Sequence, residues 1–331
     1  MKKFIFLLLA VSTFSLAASG RSSMSATLKE IREKDRYTFL ICGYDDAAEN
    51  TDAIALFDYD LNHNSASFVQ IPRDTYISTD TVSGKINSVY SSLRARGYSR
   101  ESAMDIFVAT VSEVMGTSID GYAGYTIKGL SRLIDNLGGI DLDLPFDFSF
   151  TDEGGEYSLN LKKGINHLSG DEAVKFVRYR KGYALGDLGR IDAQKIFLSS
   201  FIRQIKNSIN LATSLKLVFN SGDGVYTNCK AMDIVNIALK IRGRITEAYV
   251  RYANLPGVAM QSENGTSYYL INRQASVKML EALGFGTNGF DSSERFVNRE
   301  SAELRDIYYK DGIEWRIYDD SSLSSIGIYS N

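Results

Sequence analysis

The chain of 331 residues has little of what most active sites are built from. It holds two histidines, His63 and His167, and two cysteines, Cys42 and Cys229. So few imidazoles exclude a histidine-based triad and a His-rich metal site, leaving carboxylates, arginines and an oxygen-bound metal to carry any chemistry. The cysteines show no C-x-x-C spacing, and Cys42 falls in an apolar strand-like run, so a Cys42–Cys229 bridge is not expected. Charge of one sign is also lacking: 37 basic against 40 acidic residues leave a net charge of −3. No broad basic field exists to hold nucleic acid, so phosphate binding has to come from a local arginine cluster. P-loop, GxGxxG, HExxH and GxSxG patterns are absent, as are repeats and low-complexity tracts.

Long hydrophobic runs are confined to the start. Lys2 and Lys3 precede an apolar stretch from Phe4 to Ala18, broken only by Ser12, Thr13 and Ser15, and Ser15-Leu16-Ala17 resembles a small-x-small cleavage site. As a helix it would reach about 22 Å, short of the roughly 30 Å hydrocarbon core. Residues 1–20 are therefore read as a signal peptide or membrane anchor, with cleavage favoured, and in either form the remainder is exported. No cysteine follows the run to make a lipoprotein anchor. Residues 21–35 read as a polar linker.

Mixed strands and helices follow with no obvious linker, which predicts one α/β domain. Strands are expected at Tyr37–Gly43, Ala53–Tyr59 and Ala66–Ile71, the last ended by Pro72. Helices are expected over 87–96 and 101–115, a strand at Tyr122–Thr126, a helix at Ile127–Leu137 closed by Gly138-Gly139, and a strand at Ile140–Leu144. Ser169 with Glu172 has the capping-box pattern of a helix running to Val177. A glycine-rich loop, Gly182 to Gly189, precedes a long helix from Arg190 to Ile209. Further on, helices at Met232–Ile241 and Val277–Leu283, a strand at Ser267–Leu270 and a hairpin at Ile307–Tyr318 are expected.

If the first three strands form an up-down-up meander, Asp45, Asp52 and Arg73 meet at one edge. Paired carboxylates at a sheet edge suit a hard divalent cation, with water and phosphate oxygens completing its shell. Loop aspartates also cap turns, and Asp74 stands ready to pair with Arg73; convergence on one edge is what favours a site. A second cluster comprises Arg178 and Arg180 at the end of one helix, with Arg190 opening the next. Gln194 lies one turn on from Arg190, hence on the same face. A helix N-terminus suits an anion, and an arginine there is repelled unless one is present. Lys85 is a further candidate phosphate contact.

The segments GYD (43–45), TDAI (51–54), QIPRDTY (70–76), KIN (85–87), LIDNLGGIDLDLP (133–145), LKKGINHLSGDEAVKFVRYR (161–180) and GDLGRIDAQ (186–194) resemble, in this order, those of the LytR–CpsA–Psr (LCP) family. The resemblance covers residues 36–285 and leaves 286–331 as a C-terminal extension. It implies a three-layer α-β-α domain with a central mixed sheet, which takes a polyprenyl pyrophosphate into an apolar tunnel with Mg²⁺ (or Mn²⁺) on the diphosphate. Asp45 and Asp52 would be the metal-side aspartates and, with Arg73, the catalytic group; Arg178, Arg180, Arg190, Gln194 and Lys85 would hold substrate. Ala47, Asn50 and Ala193 stand where many members carry arginine. The implied activity is phosphotransfer of a polyprenyl-pyrophosphate-linked glycopolymer, of the teichoic-acid or capsular kind, to peptidoglycan at the outer face of the cytoplasmic membrane. Diphosphate hydrolysis and non-catalytic lipid or wall binding are the alternatives; a nucleic-acid partner conflicts with export and acidic balance.

Overall fold

The structure, a computed structural model, describes residues 34–44, 50–78, 83–145, 147–151, 158–179, 187–208, 224–229, 244, 249–261, 265–285 and 317–318. The leader, Asp45, Ala47, Arg180, the helix expected at 232–241 and most of the 307–318 hairpin lie outside these residues. Among the described residues no helix is long and apolar enough to cross a membrane.

The first three strands form the expected meander. β1 (Arg36–Tyr44) pairs antiparallel with β2 (Thr51–Asp60), which pairs antiparallel with β3 (Ser65–Ile71). β6 (Gly121–Thr126) adds parallel to β1 and β12 (Tyr249–Asn254) parallel to β3, while β11 (Val225–Thr227) and β15 (Ile317–Tyr318) close the edges. The result is a seven-stranded mixed sheet in the order β11-β6-β1-β2-β3-β12-β15. Two residues of the C-terminal extension thus belong to the central sheet.

Both sheet faces are buried, which is why β1 reads as a nearly unbroken apolar run. Tyr37, Phe39, Phe57, Tyr59 and Phe68 pack on one face; Leu40, Cys42, Ile54, Leu56 and Val69 pack on the other. The second face is covered by α1 (Ser88–Ala95), α2 (Arg100–Met115) and α6 (Arg273–Ala282). Ser99 caps α2 by accepting the Ser102 N–H, and Gly116, at φ 59°, stops it. The first face carries α3 (Ile127–Asp135), α4 (Gly170–Arg178) and α5 (Asp187–Ser208). Here too lie paired strands β7 (Ile140–Leu144) with β10 (Gly164–Leu168), and β8 (Phe148–Thr151) with β9 (Ser158–Leu161). The Ser169–Glu172 capping box is formed in full.

Two helix starts differ from the sequence reading: the helix expected from Val277 begins at Arg273, and the other shift bears on the site. The long helix begins at Asp187, so Gly189 and Arg190 lie in its first turn rather than before it. An acidic residue at a helix start is favoured by the peptide dipoles, and a single glycine there costs only about 1 kcal/mol. Cys42 and Cys229 form no disulfide.

Candidate functional site

The site begins with an irregularity in the first hairpin. Gly43 pairs with Ala53 but Tyr44 pairs with Thr51, so Asp52 is the extra residue of a bulge. Bulges bend a strand and re-aim a side chain. Arg73, two residues past the end of β3, donates from Nη1 to Asp52 Oδ1 at 2.9 Å. The two are held by one residue: the Asn87 carbonyl accepts from Thr51 N and Oγ1, and its N–H donates to the Arg73 carbonyl at 3.2 Å.

From Asp52 the charges alternate. Arg73 Nε lies 3.7 Å from Asp74, and Asp74 accepts from Lys85 Nζ at 2.6 Å. Lys85 is therefore paired, and reaches the cluster through Asp74. Arg73 is the informative member: its Nε is buried and has no hydrogen bond among the described residues. Leaving such a donor unsatisfied costs about 1–3 kcal/mol, a cost that an anion seated beside it would remove.

Asp52 stands on the rim of a cavity of about 440 Å³ between the sheet and α3, α4 and α5. Inside it is apolar, with Ile41, Phe68, Leu130, Val174, Phe197 and Leu198 on its walls. Polar groups border it: Asp52, Gln70, Arg178 and Gln194. Gln194 is fixed there, since Oε1 accepts from Gln70 Nε2 and Nε2 donates to the Val177 carbonyl at 3.2 Å. Arg178, the exposed last residue of α4, follows that carbonyl. The main chain of Arg190 lies one helical turn before Gln194.

The structure thus brings Asp52, Arg73, Arg178 and Gln194 to one apolar cavity and its rim, with Lys85 one ion pair further out. Gln70 and Tyr125 were missed by the sequence reading, which had Asp74 only as a partner for Arg73 and not as the link to Lys85. Gln70 had a signal: in β3 it alternates with Phe68 on one face, a polar residue in an inward-facing series. Tyr125 lies against Gly43, where an added Cβ would meet its ring at 2.9 Å. Burial, and to a lesser degree Cys42, pushes the Tyr125 phenol well up, so it stays protonated.

Of the three positions where the resemblance leads one to expect arginine, Ala193 and Asn50 are described. Ala193 is wholly buried in the cluster that includes Phe197, where a guanidinium would lack both space and solvent. Asn50 accepts from Ser91 Oγ at 2.7 Å, tying the start of β2 to α1.

Among the described residues no group of three or more His, Cys, Asp or Glu side chains gathers to hold a metal. The donor chemistry still fits a hard cation. Asp52 Oδ2 makes no hydrogen bond among the described residues, its carboxylate is 39% exposed, and Mg²⁺ commonly takes one or two carboxylates plus phosphate and water oxygens.

Comparison with known proteins converges on one family. The model of the LytR_cpsA_psr family matches residues 9–284. The polyisoprenyl-teichoic acid–peptidoglycan teichoic acid transferase TagV of Bacillus subtilis is 29% identical over 226 residues, 65% of this chain and 55% of the relative. The chain thus spans about half the length of that relative. A transferase of the same description, TagU of Bacillus mycoides, is 26% identical over 301 residues, 82% of this chain and 93% of the relative. The crystal structure of B. subtilis TagV superimposes with a TM-score of 0.61 at 26% identity, covering 76% of this chain and 99% of that one.

Proposed function

The chain belongs to the LytR_cpsA_psr family, and on that premise we propose that it transfers a polyprenyl-pyrophosphate-linked anionic glycopolymer to peptidoglycan outside the cytoplasmic membrane. The observation that carries the reading is the pairing of an apolar cavity with a charged rim. An isoprenoid diphosphate has the same two parts: a tail for Phe68, Leu130 and Phe197, and a head for Arg73 and Arg178. The activity for which TagV and TagU are named supports the same reaction class.

In this reading a wall-sugar hydroxyl, the 6-hydroxyl of N-acetylmuramic acid, attacks the sugar-proximal phosphorus. A new P–O bond forms, the bridging P–O bond breaks, and its electron pair leaves on polyprenyl phosphate. The hydroxyl proton passes to a carboxylate, a role assigned to Asp45. Arg73 and Arg178 neutralise the diphosphate, together with Arg180 and Arg190, while Gln194, clamped by Gln70 and Val177, fixes the rim. Such transfer is mainly a matter of position and charge. Asp52 and Asp45 would hold Mg²⁺, which would supply further neutralisation of the phosphate oxygens.

Purified protein given Mg²⁺, a polyprenyl-pyrophosphoryl glycan and peptidoglycan is expected to yield glycan-bearing peptidoglycan, and Asp52→Ala to lose at least about 100-fold in rate. Free phosphorylated glycan as the main product would replace transfer by hydrolysis. Lipid binding without turnover, indifferent to Asp52→Ala, would leave a binding protein.

A further inference from the structure

The alternating charges do not end at Lys85. Its ammonium lies 5.8 Å from the centre of the Tyr268 ring, and Tyr268 meets Tyr76 with centroids 5.4 Å apart and planes at 89°. Three elements build this corner. Tyr76 and Lys85 face each other across the paired strands β4 (Tyr76–Ser78) and β5 (Ser83–Lys85). Tyr268 comes from β14 (Ser267–Ile271), the partner of β13 (Gly257–Gln261). The two hairpins are joined because Thr75 bridges to Tyr269, and Tyr269 N–H donates to the Asp74 carbonyl at 2.8 Å. The rings are therefore positioned by the same residues that carry Arg73 and Asp74.

We propose that Tyr76 and Tyr268, with Lys85, seat a pyranose ring of the acceptor glycan, an inference that rests on the transferase reading. Perpendicular ring planes give a floor and a wall for the C–H faces of a sugar, and Lys85 and the two phenols supply hydrogen bonds to its hydroxyls. Both rings are half-buried, so their positions are held while part of each surface stays open. Direction decides between acceptor and donor sugar. In phosphoryl transfer the attacking and leaving oxygens are roughly in line. Polyprenyl phosphate leaves towards the apolar cavity, so the acceptor hydroxyl arrives from the far side of Asp52 and Arg73. Lys85, Tyr268 and Tyr76 do not line the cavity; they join Asp52 only through Asp74 and Arg73, on the side of the rim that the cavity does not occupy in this reading.

The test uses the full chain, a polyprenyl-pyrophosphoryl sugar as donor and an uncrosslinked peptidoglycan oligosaccharide as acceptor. Tyr268→Ala is expected to raise the KM for the oligosaccharide roughly tenfold, the loss of one aromatic contact. The KM for the donor should stay as in the wild type, and Tyr268→Phe should restore most of the acceptor affinity. Equal loss for donor and acceptor, or no loss, overturns the proposal. Direct titration with the oligosaccharide alone separates the two readings. Binding that is lost in Tyr76→Ala and Tyr268→Ala but kept in Asp52→Ala upholds the seat even if no transfer is detected. Transfer that is indifferent to both tyrosines sinks the seat and leaves the transferase standing.

Discussion

At the scale of single residues, Arg73 determines the head-group geometry. One of its terminal nitrogens is bound to Asp52, its Nε is buried without a hydrogen bond among the described residues, and Asp74 is 3.7 Å off. Only a planar fork can serve Asp52 and a phosphate together, so Arg73→Lys keeps the charge but not the reach. Transfer is expected to fall about 100-fold, or ~3 kcal/mol, with the melting temperature nearly unchanged, as steady-state rates and a thermal scan would show. Gln70→Ala removes the donor from Gln194 Oε1 and frees that side chain. Its effect is expected in donor KM, a few-fold rise, with a smaller change in kcat. Asp52 and Arg73 were legible because strand ends in a meander fall at one edge. The partner of Lys85 was not, because Asp74 reaches it only through the turn that pairs β4 with β5, and no periodicity announces a three-residue strand.

Elements were legible in proportion to their burial. The β1 run, the 100–115 helix and the 169–172 capping box carry strong local signals, and each is found within a residue or two of its expected place. The start of α5 was misplaced because glycines in a first turn look like loop. Packing between β1 and β6 could not be read at all, since it depends on which glycine lies beside which tyrosine. An added Cβ on Gly43 would touch Tyr125 at 2.9–3.1 Å, and one on Gly124 would overlap Tyr44 at 2.2–2.6 Å. The two contacts have different outlets. Both rings border the cavity, but Tyr125 is only half-buried, whereas Tyr44 is buried and its hydroxyl lies 3.0 Å from Met104 Sδ. Gly124→Ala is therefore expected to cost about 1–3 kcal/mol of stability in denaturant titration, the range for an overpacked core. Gly43→Ala is expected to cost less stability and to weaken binding of a polyprenyl phosphate, because the displaced ring fills the cavity. A Gly43→Ala variant that binds lipid as the wild type does would refute the assignment of this cavity to the tail.

Over the whole molecule the sheet has a polar cluster at each end. Opposite Asp52 and Arg73, the Arg36 guanidinium holds Asp58 at 2.6 and 2.9 Å and Asp60 at 3.3 Å, and it donates to the Leu283 carbonyl just past α6. Arg251 donates to the Ala282 and Leu283 carbonyls at 3.0 and 2.8 Å, so two arginines from the sheet bind the C-terminus of one helix. Arg36→Ala would strand Asp58, whose side chain is 1% exposed, and is expected to cost about 3–5 kcal/mol. The two carboxyls respond to acid with opposite signs. Burial pushes Asp58 up, more than Arg36 and Thr38 pull it down. For Asp60 burial also acts upwards, but hydrogen bonds from His63 and Asn62, with Arg36, outweigh it and hold the carboxyl below its usual range. A lowered folded pKa gives stability that is present at neutral pH and lost as pH falls through that value; a raised one gives stability that is present in acid and lost as pH rises. Melting temperatures followed from about pH 7 down to about pH 3, across the range of unfolded carboxylates, should separate the two. Asp60→Asn is expected to flatten the acid limb relative to the wild type, and Asp58→Asn to steepen it. If both substitutions shift the limb in the same direction, the two carboxyls do not differ in the way their surroundings require.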